Sequence, residues 1–373
     1  MFVGITNTPR DYAWGSTTLI PELLGVPATG APQAELWLGT HHGSPARLVG
    51  RDGTLADLLE DGLPFLLKVL AAGAPLSLQA HPTPEQARAG FEREERAGIP
   101  VDAPHRNYKD PFHKPELVYA LSDPFTALAG FRPVAETRSV LEPAAGDPRI
   151  APLLERLRED GDLRDVFSWL IARGPGVAEL TDAVAEAADR LDGSSWETVR
   201  LLAAHYPGDP GIPISLLLHT VVLGTGEALF LPAGNIHAYL GGLGIELMAA
   251  SDNVLRGGLT PKHVDVPELQ EVLDFRPLPA PYLRPEVLEP GVSAFRPDVP
   301  DFALTVVEPA AARRGVRLAM PGAAVAFVAS GEATLHGDRG ELRLGRGAAA
   351  YLAEEPAVQV QGDALLFLAH ANA

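Results

Sequence analysis

The sequence predicts a mainly β protein interrupted by one all-helical block, and three observations carry that expectation. Short runs rich in β-branched and alternating apolar residues, separated by Gly and Pro turn signals, fill 33–132 and 212–275. Helical spacing takes over in 133–206, where Val177, Leu180, Val184 and Leu191 recur on one face. After the Pro-rich stretch from Arg276 to Pro290, strand-like runs return at Val325–Ala329, Ala333–His336, Glu341–Leu344 and Ala364–Leu368.

Taken in chain order, the first helix is announced by Thr83 as N-cap, Pro84 at the first helical position and Gln86 three residues after the cap; it should run to about Gly98. Within the helical block, Ser194 and Glu197 form a capping-box pattern ahead of Val199, Leu201 and Leu202. The longest apolar stretch, Ile212 to Gly224, is broken by Pro213, Ser215 and His219; it falls short of the ~18 residues a membrane span needs and reads as a buried strand. A chain of 373 residues exceeds the usual domain size of about 100–200. The expected division is 1–132 and 207–275 as two parts of one β unit, 133–206 as a helical insertion, and 276–373 as a second, smaller β unit.

Composition narrows the function. With 46% hydrophobic and 21% charged residues the chain should fold into a globular body. A net charge of -18 disfavours nucleic acid and anionic membranes as partners, and any anionic substrate would need a local nest of cations. The N-terminus carries neither a basic region nor a long apolar one, so a cytoplasmic location is expected. The absence of cysteine leaves only His, carboxylate and amide side chains as ligands for zinc, the chemistry of catalytic rather than structural sites.

Three polar constellations stand out. In the segment 75–82 a strand would place Ser77, Gln79 and His81 on one face and Leu76, Leu78 and Ala80 on the other. In 113–121, Lys114 and Glu116 share a face opposite Leu117, Tyr119 and Leu121. Either segment alone is equally compatible with a solvated edge strand or an exposed ion pair. In 244–265, Glu246, Asp252, Asn253, Arg256 and Lys262 gather around Gly257–Gly258, a density of polar groups that suits a functional loop or a solvated turn.

The run from Gly226 to His237, a glycine turn, an apolar strand, a Pro-x-Gly turn and a histidine, resembles the second motif of the cupins, small jelly-roll barrels in which that histidine binds a divalent metal. Together with Ala34–His41, Leu76–His81, His113–Glu116, Pro232–Tyr239 and Ser251–Lys262, in this order, it resembles the type I mannose-6-phosphate isomerases. Tyr12–Ser16 and Gly130–Pro133 extend the resemblance over roughly 11–266. The family pattern implies a cupin jelly-roll catalytic domain and a degenerate C-terminal jelly-roll-like domain, with Ala353 where a second cupin motif would need proline. It further implies one zinc ion held by Gln79, His81, Glu116 and His237, with Arg256 as the catalytic residue and Ser77, Lys114, Glu246 and Lys262 lining the substrate pocket. Phe112 and His219 depart from the pattern, both standing where Asn is usual.

The resemblance implies an aldose–ketose isomerase that moves a proton between C1 and C2 of a phosphosugar through an enediol. Two neutral imidazoles, one amide and one carboxylate leave a zinc ion about one net positive charge with which to polarise sugar oxygens. Arg256 and Lys262, six residues apart across the Gly–Gly turn, are the expected holders of the phosphate. Glu246, Lys114 or a zinc-bound water are all open as proton carrier. Two His and one carboxylate would also suit a non-haem iron oxygenase, against which Gln79 and the cations argue; an isomerase of another phosphosugar is the second alternative. The protein is expected to act as a monomer supplying precursors of nucleotide sugars.

Overall fold

The computed structural model describes residues 1–372 and is mostly antiparallel β, in three sheets. The organising element is the strand His237–Ala249, which pairs with four others: Phe65–Ala72, Gln79–Ala80, Glu116–Ala120 and Phe125–Phe131. A bulge between Tyr239 and Gly241 switches which side chains face inward. Before it, Ala238 and Leu240 pack outward into the helical core while Tyr239 points in; after it, Leu243, Ile245 and Leu247 pack outward and Glu246 points in. Next to the bulge Gly242 sits at φ +120, and a Cβ there would lie 2.8 Å from Ser122 Oγ and 2.9 Å from the Phe125 Cα.

Residues 134–215 contain only helices and turns, and their apolar faces share one core with the back of the first sheet through Leu78, Ala80, Leu128 and Ile236. The helix Pro84–Arg96 starts as its sequence prescribes: the Thr83 hydroxyl accepts from the Gln86 amide at 3.2 Å, and the Gln86 side chain accepts from the Thr83 amide at 2.9 Å. Two local expectations fail. The helix Ser194–His205 takes Gly193 as its N-cap, and Ser194 makes no capping bond because it is already the first helical residue. Ile212–Ser215 is a short helix rather than strand: Pro210 holds φ −64, the Asp209 side chain accepts the Gly211 amide, and the strand begins only at Leu218.

The remaining two sheets enclose a separate apolar core, with Val316, Leu335 and Val358 facing Ala326, Leu366 and Leu368. The strand Phe2–Thr6 pairs with Ala349–Leu352, so the sheet of the C-terminal unit includes the start of the chain, which the sequence places with 7–132. Its outer face, through Phe295, Phe302, Phe327 and Phe367, meets Leu36, Leu67, Ile245 and Leu247 in one continuous core.

Candidate metal centre and cleft

Three strands set the side chains in a row. Gln79 is directly opposite His237 on one side and Arg256 on the other, and directly opposed residues of antiparallel strands share a face. His237 is aimed by the turn before it, where Gly234 at φ +77 donates its N–H to the His81 carbonyl at 2.8 Å. Glu116 comes from the neighbouring strand. Its carboxylate oxygens lie 3.3 Å from His81 Nε2 and 3.3 Å from His237 Nε2, and the Gln79 amide nitrogen is 3.4 Å from His237 Nε2. A half-turn of that amide presents its oxygen instead.

Burial makes this arrangement demanding. His81, His237 and Glu116 are at most 2% exposed. His81 Nδ1 sits 2.8 Å from the Asn253 carbonyl and His237 Nδ1 3.0 Å from the Asn235 carbonyl, so both Nδ1 atoms must carry the proton and donate. Each Nε2 then turns a lone pair toward the carboxylate, and His81 Nε2 and Glu116 Oε2 are buried without a hydrogen-bond partner. Burial, only partly offset by Glu116, brings the His81 pKa down to about 4, which keeps the ring neutral. Burial raises that of Glu116, but the Lys114 ammonium, 3.1 Å from Oε1, brings it well below the usual carboxylate value. Lone pairs and an ionised carboxylate converging within 4.8 Å fit a divalent cation.

A second cluster, His41, His42 and Asp252, has similar residue types and a different proton arrangement. The Gly43 N–H donates to His41 Nδ1 at 3.2 Å, which puts the proton on Nε2, 3.3 Å from Asp252 Oδ1. His42 is exposed and stacks on His41. This is a hydrogen-bonded acid–imidazole pair; a cation there would require a lone pair where the backbone demands a hydrogen.

The centre opens into a cleft of about 480 Å³. Ser77, Lys114, Glu246, Arg256 and Lys262 all line it, with Trp14, Leu76 and Tyr206 as apolar wall. Arg256 and Lys262 form no ion pair among the described residues, and burial lowers the pKa of both, that of Lys262 further through the Arg256 charge. At the floor, Lys68 lies between Glu246 (2.9 Å) and Glu35 (3.3 Å), with its ammonium 5.2 Å from the centre of the Trp37 ring. Burial pushes the Glu246 carboxyl up, and the Lys68 charge only partly reverses the shift. Sequence reasoning passed over Lys68 and Glu35. The signal was a single lysine inside Phe65–Ala72, an otherwise apolar and wholly buried strand, since a charge there must be paired.

The model of the phosphomannose isomerase type I catalytic domain matches residues 2–134. The mannose-6-phosphate isomerase of Escherichia coli (strain K12) is 39% identical, with 97% of each chain covered. That of Homo sapiens is 33% identical, with 80% of each covered. Among solved structures, a zinc-bound mannose 6-phosphate isomerase superposes with a TM-score of 0.91 at 37% identity over 100% of both chains. A variant of phosphomannose isomerase from Salmonella typhimurium gives 0.92 at 37%, again over 100% of both.

Proposed function

The chain belongs to the type I mannose-6-phosphate isomerase family, and from that premise we propose that it interconverts mannose 6-phosphate and fructose 6-phosphate in the cleft, beside one zinc ion held by Gln79, His81, Glu116 and His237. The observation that carries this reading is a buried two-imidazole, one-carboxylate cradle opening into a cleft that holds two cations with no carboxylate partner among the described residues. Held by Gln79, His81, Glu116 and His237, a zinc ion would supply a net positive charge able to polarise sugar oxygens.

The protein's own groups do the rest. Arg256 and Lys262 take the phosphate, whose charge compensates two cations drawn partly out of water. Arg256, beside Gln79 in the strand row, is the residue we assign as catalytic. Ser77 offers a hydroxyl to the sugar, and Trp14 and Tyr206 limit water. Lys114 and Glu246 line the cleft and, with a zinc-bound water, are the candidates to carry the proton between C1 and C2; burial raises the Glu246 carboxyl above the usual carboxylate value, which favours its holding a proton. The iron-oxygenase alternative finds no support, since the relatives are isomerases and a zinc-bound one shares the whole fold. We read residues up to 132 and 207–275 as one catalytic barrel, with the helical block inserted between them and the C-terminal sandwich as structural support.

Running the reaction in deuterated water tests the proton route. Label should appear at C2 of recovered mannose 6-phosphate and C1 of fructose 6-phosphate, and its complete absence over many turnovers would point to hydride transfer or a proton shielded from solvent. Arg256→Ala should lose activity and keep its zinc.

A further inference from the structure

Between Arg256 and Lys262 the chain does something unfavourable. Leu259 adopts φ +54, a left-handed conformation that a γ-branched side chain seldom takes, while its side chain is buried in the helical core. Its amide N–H donates to Asp209 Oδ1 at 2.9 Å, and the same oxygen accepts the Gly211 N–H at 2.7 Å. Asp209 belongs to the exit of the helical block and its side chain is 14% exposed. Gly211 completes the fit, because a Cβ there would lie 2.6 Å from Leu259 Cδ2. From the same exit, the Tyr206 hydroxyl donates to the Pro75 carbonyl at 2.7 Å, and Tyr206 lines the cleft. The loop is tied on its other flank by Gly257 N–H to Leu78 O at 2.7 Å and Leu78 N–H to Gly258 O at 3.1 Å, so Leu259 is the first residue beyond these ties on the way to Lys262.

We propose that Asp209 is a positioning residue for the phosphate end of the cleft: it holds Leu259 left-handed and so sets the spacing of Lys262 from Arg256. This gives the helical block a role in substrate binding, and it rests on the reading that Arg256 and Lys262 take the phosphate. A left-handed leucine persists only where its surroundings over-determine it. One carboxylate oxygen shared by two amides, above a glycine that leaves room for the leucine, is such a surrounding.

The test uses the zinc-loaded full chain, with KM for mannose 6-phosphate, Ki for inorganic phosphate, kcat and zinc content as readouts. Asp209→Ala should raise KM and the phosphate Ki about tenfold, with a smaller change in kcat and unchanged zinc. Asp209→Asn, which keeps an acceptor oxygen, should stay close to the parent. Adding Leu259→Gly to Asp209→Ala should recover much of the loss, because glycine takes this conformation without strain. Gly211→Ala, whose added carbon would press on Leu259 and lie 2.9 Å from Asp209 Oδ1, disturbs the same contact from the other side and should reproduce the KM effect if Asp209→Ala does not fold. A folded Asp209→Ala or Gly211→Ala with unchanged KM and Ki overturns the proposal, as does failure of Leu259→Gly to rescue. Lys262→Ala separates the two levels. If it raises KM and Ki while the Asp209 and Gly211 variants do not, the phosphate assignment stands and the positioning role falls. If it changes neither, the phosphate assignment falls and takes this inference with it.

Discussion

Which ring nitrogen holds the proton distinguishes the two histidine–carboxylate clusters more sharply than residue type does. His81 and His237 face backbone carbonyls with Nδ1 and present lone pairs inward, whereas His41 faces a backbone N–H and presents a hydrogen to Asp252. No spacing rule contains that difference, because the deciding partners, Asn253, Asn235 and Gly43, act through their main chains. The His41–Asp252 pair has its own consequence. Burial opposes ionisation of Asp252, yet the hydrogen bond from His41 and the Lys114 charge bring its pKa to about 2 from 3.8. A carboxyl depressed on folding contributes stability that is present above 3.8 and is lost as pH falls through about 2. Asp252→Asn cannot titrate, so its urea midpoint should fall less than the parent's between about pH 4 and pH 2. Equal losses in the two proteins would mean that the pair does not contribute to acid stability.

Among the elements, the strand His237–Ala249 brings Glu246 and Tyr239, of opposite parity, into the same cleft by its bulge, with His237 on the Tyr239 face beside it. Strict alternation applied to the sequence would have separated them. The Pro-x-Gly turn before His237 and the Thr83–Pro84–Gln86 cap were readable because each is a local rule satisfied by a few neighbouring residues. Ser194 misled because the same capping letters serve one residue after the true cap, at Gly193. Ile212–Ser215 misled because apolar content alone does not separate a buried turn of helix from a strand. Gly242→Ala tests the bulge: with φ +120 and Ser122 Oγ only 2.8 Å from the added carbon, it should cost about 1–3 kcal/mol in urea unfolding and reduce isomerase activity by turning Glu246. Unaltered stability and activity would show that the bulge does not set the site.

At the scale of the whole molecule, the four proposed metal ligands are spread along the sequence from Gln79 to His237, 158 residues apart at the extremes, and are brought together by one sheet. Their residue types could be found by motif; the pairing of Lys68 with Glu35 and Glu246, and of Asp209 with Leu259, could not, since each depends on a long-range contact that leaves no local pattern. The sheet built mainly from 286–370 shares its outer core with the sheet of Phe65–Ala72 and His237–Ala249 and includes Phe2–Thr6. A chain ending at residue 285 should therefore expose the apolar face of Leu36, Leu67, Ile245 and Leu247, aggregate on gel filtration and show no cooperative melt. A soluble, active fragment would contradict this dependence.

The central claim, one catalytic zinc held by Gln79, His81, Glu116 and His237, is tested most directly by adding zinc stepwise to chelator-treated protein while following conversion of mannose 6-phosphate. Activity should rise linearly and level off at one equivalent per chain, and His237→Ala should neither retain zinc nor regain activity at that stoichiometry. Full activity in a zinc-free His237→Ala protein would contradict the account.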